Sequence, residues 1–362
     1  VSFSLTALLR PELAELTAYS PDLARYPIRL DANEAPPLLS PLARERIASV
    51  LSEGDWERYP DPSLSALREA IARQLGVSPC EILPGVGSDE VISLLVTALV
   101  RPRPNTDVAT VLTTTPTFVM YRLSARARGL RVLEVPLDES WDLALAGFES
   151  AIEMAPPNLV FVASPNNPTG NLMSLERLRE LIAAAPEALF VLDEAYVAYA
   201  DRHQLALYRE FENVAVLRTL SKVGLAAFRL GFLLGRPELV SELDKVRLPY
   251  NVPTATQRVA ELAFGELAPE LERVAQSVVA ERTRLVRRLA EQPRIAVTPS
   301  QANFLWLGFE RPSQEIYEQL KARGILVRSF HARGGRLAKQ LRVTIGTPEE
   351  NDQLAAALAE LS

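Results

Sequence analysis

The chain has 362 residues, 48% hydrophobic and 23% charged, a globular composition whose length points to two domains rather than one core. One cysteine, Cys80, and two histidines, His203 and His331, exclude a disulfide framework, an iron–sulfur cluster and a thiolate or multi-histidine metal centre within one chain. A net charge of −6 argues against nucleic acid as the main partner.

Residues 1–29 alternate apolar and charged positions and then run through a proline-punctuated stretch, which predicts a helix followed by an extended arm. No basic segment precedes an apolar run and a cleavage signal there, so a cytoplasmic protein is expected. A polar, proline-rich passage over Asp31–Pro41 leads into helical sequence. Over Ser63–Gly76, Leu64, Leu67, Ile71 and Leu75 fall on one helical face, and Gly76 ends it. The longest apolar run, Val91–Val100, is too short for a bilayer, so no membrane partner is expected. The arginine clusters at Arg126–Arg131 and Arg282–Arg288 read as solvated helix faces.

Between residues 82 and 235, short apolar runs alternate with helical stretches. The runs Ala109–Leu112, Val132–Val135, Leu159–Ala163, Ala188–Leu192, Val214–Leu217 and Gly231–Leu234 have almost no polar alternation, as in strands covered on both faces. This predicts an α/β fold: a large domain with a mostly parallel central sheet flanked by helices. A helical reach over Gln257–Glu291 is followed by expected strands at Ala302–Leu307, Ile325–Val327 and Leu341–Ile345 and helices at Gln314–Arg323 and Glu349–Leu361. These make a smaller α+β domain. The expected division is 31–255 for the large domain, with 1–30 and 256–362 forming the arm and the small one.

Four segments follow the ends of predicted strands, where open α/β sheets place ligands. Gly85-Val-Gly-Ser-Asp-Glu90 opens a helix whose free N–H groups suit an anion, although a plain N-cap explains it equally well. Ser164-Pro-Asn-Asn-Pro-Thr-Gly170 is either a turn or a pair of amides offered to a ligand. Asp193-Glu-Ala-Tyr196 sets a carboxylate where burial is costly without a cationic partner, such as a protonated ring nitrogen. Thr219-Leu-Ser-Lys222 lies seven residues before Arg229, with hydroxyls and an arginine suited to a phosphate.

Only four of the 39 basic residues are lysine, and none occurs before Lys222. Arginine stays protonated and cannot form an imine with an aldehyde, so a lysine retained here is expected to be chemically required. A phosphate, an aldehyde and a ring nitrogen that needs a carboxylate together describe pyridoxal 5′-phosphate. His203, His331 and Cys80 read as ordinary loop or structural residues.

The same strings resemble fold-type I pyridoxal-phosphate aminotransferases, and within them the histidinol-phosphate aminotransferase subgroup. Arg58-Tyr-Pro-Asp61, Leu248-Pro-Tyr-Asn-Val252 and Gln301-Ala-Asn-Phe304 narrow the resemblance to that subgroup; Leu16-Thr-Ala-Tyr19, Asp31-Ala-Asn-Glu34 and Arg342-Val-Thr-Ile-Gly-Thr347 extend it along the chain. It implies that Lys222 holds the cofactor and shuttles a proton, with Asp193 on the ring nitrogen. Asn167 and Tyr196 would meet the ring hydroxyl, and Phe118 would stack on the ring. Ser88, Asp89, Thr219, Ser221 and Arg229 would surround the phosphate, joined by Tyr59 from the other subunit of a homodimer. Arg342 would bind the substrate's anionic group, and Tyr19, Asn33 and Arg328 would line its pocket.

Three departures stand out. Phenylalanine replaces the common tyrosine at 118, the Lys222–Arg229 loop is one residue short, and Asp31-Ala-Asn-Glu-Ala-Pro lacks the usual continuation. The implied reaction is transamination between histidinol phosphate and 2-oxoglutarate. An aromatic amino-acid aminotransferase and a threonine-phosphate decarboxylase are the alternatives, and a non-catalytic ligand sensor is a more distant one.

Overall fold

A computed structural model describes residues 3–5, 7–16, 22, 24–104 and 106–361. Its strands are, in chain order, β1 (Ile28–Arg29), β2 (Ile82–Val86), β3 (Thr110–Thr115), β4 (Arg131–Pro136), β5 (Leu159–Ala163), β6 (Leu189–Asp193) and β7 (Val214–Thr219). They continue with β8 (Leu230–Leu234), β9 (Ile295–Thr298), β10 (Phe304–Phe309), β11 (Ile325–Leu326), β12 (Arg328–Ser329) and β13 (Gln340–Thr344).

Seven strands form the large sheet in the order β2-β8-β7-β6-β5-β3-β4. β3 to β7 run parallel, whereas β8 is antiparallel to both β2 and β7. The missing polar alternation has a direct cause. On β5, Leu159 and Phe161 enter the core on one face while Val160 and Val162 enter the core on the other, and all four are fully buried. Because β7 runs parallel to β5 and β6, the loop from β7 to β8 opens on the same edge as their carboxyl ends, and β2, antiparallel to β8, ends on that edge as well. The start of the helix Gly87–Ala98, directly after β2, lies there too. All four sequence segments therefore meet at one edge.

The smaller sheet is antiparallel, ordered β12-β13-β10-β9. β1 pairs in parallel with β11, Ile28 opposite Ile325, which ties the N-terminal part of the chain to the C-terminal part. Gly76 closes the helix Ser65–Leu75 as expected: its φ of +66° suits glycine, and its N–H returns to the Ala72 carbonyl. Among the described residues no helix is long and apolar enough to cross a membrane.

Two expectations are corrected. The helical reach 257–291 is two helices, Thr254–Phe264 and Ala268–Leu289, broken at Gly265. Arg282 is not on a solvated face; it is buried, and its Nη1 donates to the carbonyls of Tyr199 (3.1 Å) and Ala302 (2.8 Å). Helical periodicity placed it beside exposed arginines, but the Val197–Tyr199 turn and the chain leading into β10 pack over that part of the helix. Arg282→Leu is expected to cost about 2–4 kcal/mol, because two buried carbonyls lose a charged donor. Urea unfolding of the variant against the parent measures this.

Candidate active site

A cavity of about 250 Å³ opens at the common edge of the strands. Of the sequence-predicted residues it gathers Asn33, Ser88, Asp89, Phe118, Asn167, Asp193, Tyr196, Thr219, Ser221, Lys222, Arg229, Arg328 and Arg342. Tyr59 is not among them; it is 81% exposed and stacks on Tyr250 at 4.6 Å between ring centroids. Tyr19 lies outside the described residues. A larger groove of about 870 Å³ behind the Lys222 loop contains neither Lys222 nor Asp193.

One end of the cavity is built for an anion. The helix Gly87–Ala98 starts without a side-chain cap, so its first N–H groups are left for another acceptor. Gly87 has φ of +75°, and a Cβ there would meet Arg229 Nη2 at 2.6 Å. Gly231 is as tightly placed, since a Cβ would meet Ser88 N at 2.3 Å. The glycines thus let β8 and the Arg229 guanidinium close on the helix terminus. Arg229 Nη1 donates to Ser221 Oγ at 3.2 Å and Nη2 pairs with Asp89 at 3.1 Å. Thr219 Oγ1 lies 3.0 Å from Ser221 Oγ and donates to the Leu230 carbonyl. Hydroxyls, a guanidinium and a helix N-terminus therefore converge on one small volume.

At the other side Asp193 ends β6, only 4% exposed. Burial pushes its carboxyl up to about 6, against the opposing pull of hydrogen bonds from Tyr121 Oη (2.6 Å, to Oδ2) and the Ala195 N–H (2.9 Å, to Oδ1). Burial also raises Tyr121, so its hydroxyl stays protonated and remains the donor. The adjacent Glu194, on the alternate side of the chain, is instead neutralised by Arg218 at 2.7 Å. Among the described residues Asp193 has no such cation, and a protonated ring nitrogen would supply one.

Lys222 is half-buried between these two ends, its Nζ 5.8 Å from the Tyr196 ring centroid. Among the described residues no carboxylate pairs with it. Tyr199, buried beneath the loop, donates its hydroxyl to the Lys222 carbonyl and holds the backbone there. Asn33, with φ of +56°, donates from Nδ2 to Tyr196 Oη at 2.9 Å and accepts at its carbonyl from Asn303 Nδ2. Arg342 donates to Asn167 Oδ1 at 2.7 Å and to the Asp31 carbonyl. Asn33 and Arg342 thus join both sheets around the cavity.

Sequence reasoning missed Tyr121, Tyr199, Phe330 and Arg333. Tyr121 follows Phe118 by three residues, and its ring meets Phe118 edge-on at 5.6 Å and stacks on Phe161 at 4.8 Å. That one-turn spacing was a usable signal. Tyr121→Phe should raise the Asp193 carboxyl above about 6 and weaken ligand binding at neutral pH by about tenfold, the worth of one charge-assisted hydrogen bond. Fluorescence titration with pyridoxal phosphate from pH 5 to 8 checks it.

The model of the aminotransferase class I and II family matches residues 26–358. Histidinol-phosphate aminotransferase 2 of Nitrosococcus oceani is 39% identical over 354 residues, covering 97% of this chain and 96% of its own. Histidinol-phosphate aminotransferase 1 of Ralstonia nicotianae is 38% identical, over 98% and 94%. Among solved structures, histidinol-phosphate aminotransferase of Sinorhizobium meliloti in complex with pyridoxal 5′-phosphate superimposes with a TM-score of 0.86. It is 28% identical, over 99% of this chain and 98% of that one. On sequence, fold and the arrangement of the cavity, this chain belongs to the class I and II aminotransferases.

Proposed function

We propose that the protein is a pyridoxal-phosphate-dependent aminotransferase that exchanges the amino group between histidinol phosphate and 2-oxoglutarate. The observation that carries the cofactor assignment is the buried Asp193 carboxylate without a cation, set across the cavity from an uncapped helix N-terminus and Arg229. Lys222, which no ion pair occupies, lies between them. These residues fit pyridoxal phosphate at its three polar ends. The substrate assignment is supported by the names of the relatives at 38–39% identity.

Bound here, the cofactor supplies an aldehyde for amine exchange and a ring that accepts the electron pair released at the substrate carbon. Lys222 would hold the cofactor through its Nζ and would carry the proton between the substrate carbon and the cofactor. Asp193 would hold the proton on the ring nitrogen by charge. Tyr196 and Asn167 would hydrogen-bond the ring hydroxyl, and Phe118 would stack on the ring. Ser88, Asp89, Thr219, Ser221 and Arg229 would surround the phosphate. Arg342 orients the substrate's anionic group, with Arg328 and Asn33 beside it.

Residues 31–255 form the cofactor domain, and 1–30 with 256–362 the smaller one. Tyr59, exposed and outside the lining of its own cavity, would complete the phosphate site of a second copy in a homodimer. An amino-donor panel at fixed 2-oxoglutarate tests the substrate reading. Histidinol phosphate is expected to give the highest kcat/KM, and a preference for phenylalanine or tyrosine would overturn it. Release of carbon dioxide from phosphothreonine without amino transfer would favour the decarboxylase instead.

A further inference from the structure

β12 and the segment joining it to β13 carry three arginines that are used unequally. Arg336 is spent on structure: its guanidinium lies 3.7 Å from the Trp141 ring centroid and donates to the Leu137 and Asp138 carbonyls at 2.6 and 2.7 Å. Arg328 and Arg333 both line the cavity, and among the described residues neither side chain has a hydrogen bond or an ion pair. Gly334 and Gly335, with φ of +69° and +53°, turn the chain immediately after Arg333.

The register adds a second constraint. Arg328 sits directly opposite Arg342 across the β12–β13 pair, so the two side chains share one face of the sheet, where like charges repel. The carboxylates of the cavity do not relieve this. Asp89 is paired with Arg229, and Asp31 with Arg29 at 3.4 Å. Asp193 is held by Tyr121 and the Ala195 N–H. The substrate end therefore keeps an excess of positive charge. Arg342, braced by Asn167, suffices for a single carboxylate. Two further unpaired guanidinia, both exposed on the cavity lining, suit an anion of higher charge.

We infer that Arg333 is a specificity-determining residue that forms, with Arg328, a guanidinium clamp for the dianionic phosphomonoester of the amino donor. The clamp rests on the histidinol-phosphate reading above and names a residue that recognises its phosphate. A monoester loses its second proton near pH 6, so the clamp acts most strongly on the dianion above that pH.

The test compares the two half-reactions of the holoenzyme, with histidinol phosphate and with glutamate, in the parent, Arg333→Gln and Arg333→Lys. Loss of one charge-assisted contact should raise KM for histidinol phosphate about tenfold in Arg333→Gln, with the effect on KM rather than kcat. The rise in KM for glutamate should be several-fold smaller, and Arg333→Lys should recover part of the loss. The decrease in KM for histidinol phosphate between pH 5 and 7 should become shallower in Arg333→Gln. Equal losses on both donors, or an unchanged KM for histidinol phosphate, overturn the clamp and leave the substrate reading standing. A parent enzyme that turns over glutamate but not histidinol phosphate overturns the substrate reading, and the clamp with it.

Discussion

Lys222→Arg is expected to abolish amino transfer, by at least about 10⁴-fold, and to remove the visible absorbance that pyridoxal phosphate acquires on reaction with a lysine. The substitution keeps the charge and nearly the length of the side chain, and this chain uses arginine at 35 of its 39 basic positions. What arginine lacks is an amine that can lose its proton, so it can neither engage the aldehyde nor take the proton from the substrate carbon. Folding should be unaffected, because among the described residues Lys222 makes no ion pair and Tyr199 holds the loop through the backbone carbonyl. Circular dichroism and thermal unfolding therefore separate loss of chemistry from loss of structure. A variant that kept the absorbance would assign the imine to another of the lysines, Lys245, Lys321 or Lys339.

Asp193→Asn should move binding and stability in opposite directions. Affinity for pyridoxal phosphate should fall about a hundredfold or more, because a buried cation loses its partner. Stability of the cofactor-free protein should rise at neutral pH. The sign follows from the carboxyl, raised by burial to about 6 from an ordinary 3.8. Between those values the folded protein holds a proton that the unfolded chain has released. The contribution of Asp193 is fully present below about pH 4 and is lost as pH rises through 6. Asparagine cannot ionise, so the variant should match the parent near pH 4 and exceed it by roughly 2–3 kcal/mol at pH 8. Denaturant unfolding at both pH values, with and without cofactor, measures the effect. Equal cofactor affinity in parent and variant would remove Asp193 from its role.

Much of the site was legible because its parts follow strand ends. Apolar runs without polar alternation mark strands buried on both faces, and the residues that follow them must emerge at an edge of the sheet. Asp193 and Lys222 were readable for a further reason: a carboxylate at the end of a buried strand and a lysine after a strand end, in a chain that uses arginine almost everywhere else, are both chemically costly or improbable without a function. Tyr121 and Tyr199 carried no such mark. Aromatic residues suit a core whatever their hydroxyls do, and only the fold shows that one hydroxyl meets Asp193 and the other the Lys222 carbonyl. Arg282 was misplaced for the converse reason, since periodicity reports a helix face and not what is packed over it.

By itself, then, the sequence determined the class of fold and singled out Lys222, Asp193 and the hydroxyls near Arg229 as candidates for the cofactor, because local pattern and residue chemistry suffice for each. Tertiary structure decided which distant side chains share one volume. It pairs β8 antiparallel to both β7 and β2, which brings the end of β2 to the carboxyl edge, and it sets Arg328 opposite Arg342. It also places Arg333 on the cavity wall. Strand direction and cross-strand register depend on pairings between segments far apart in the chain, and those pairings bring the charges together.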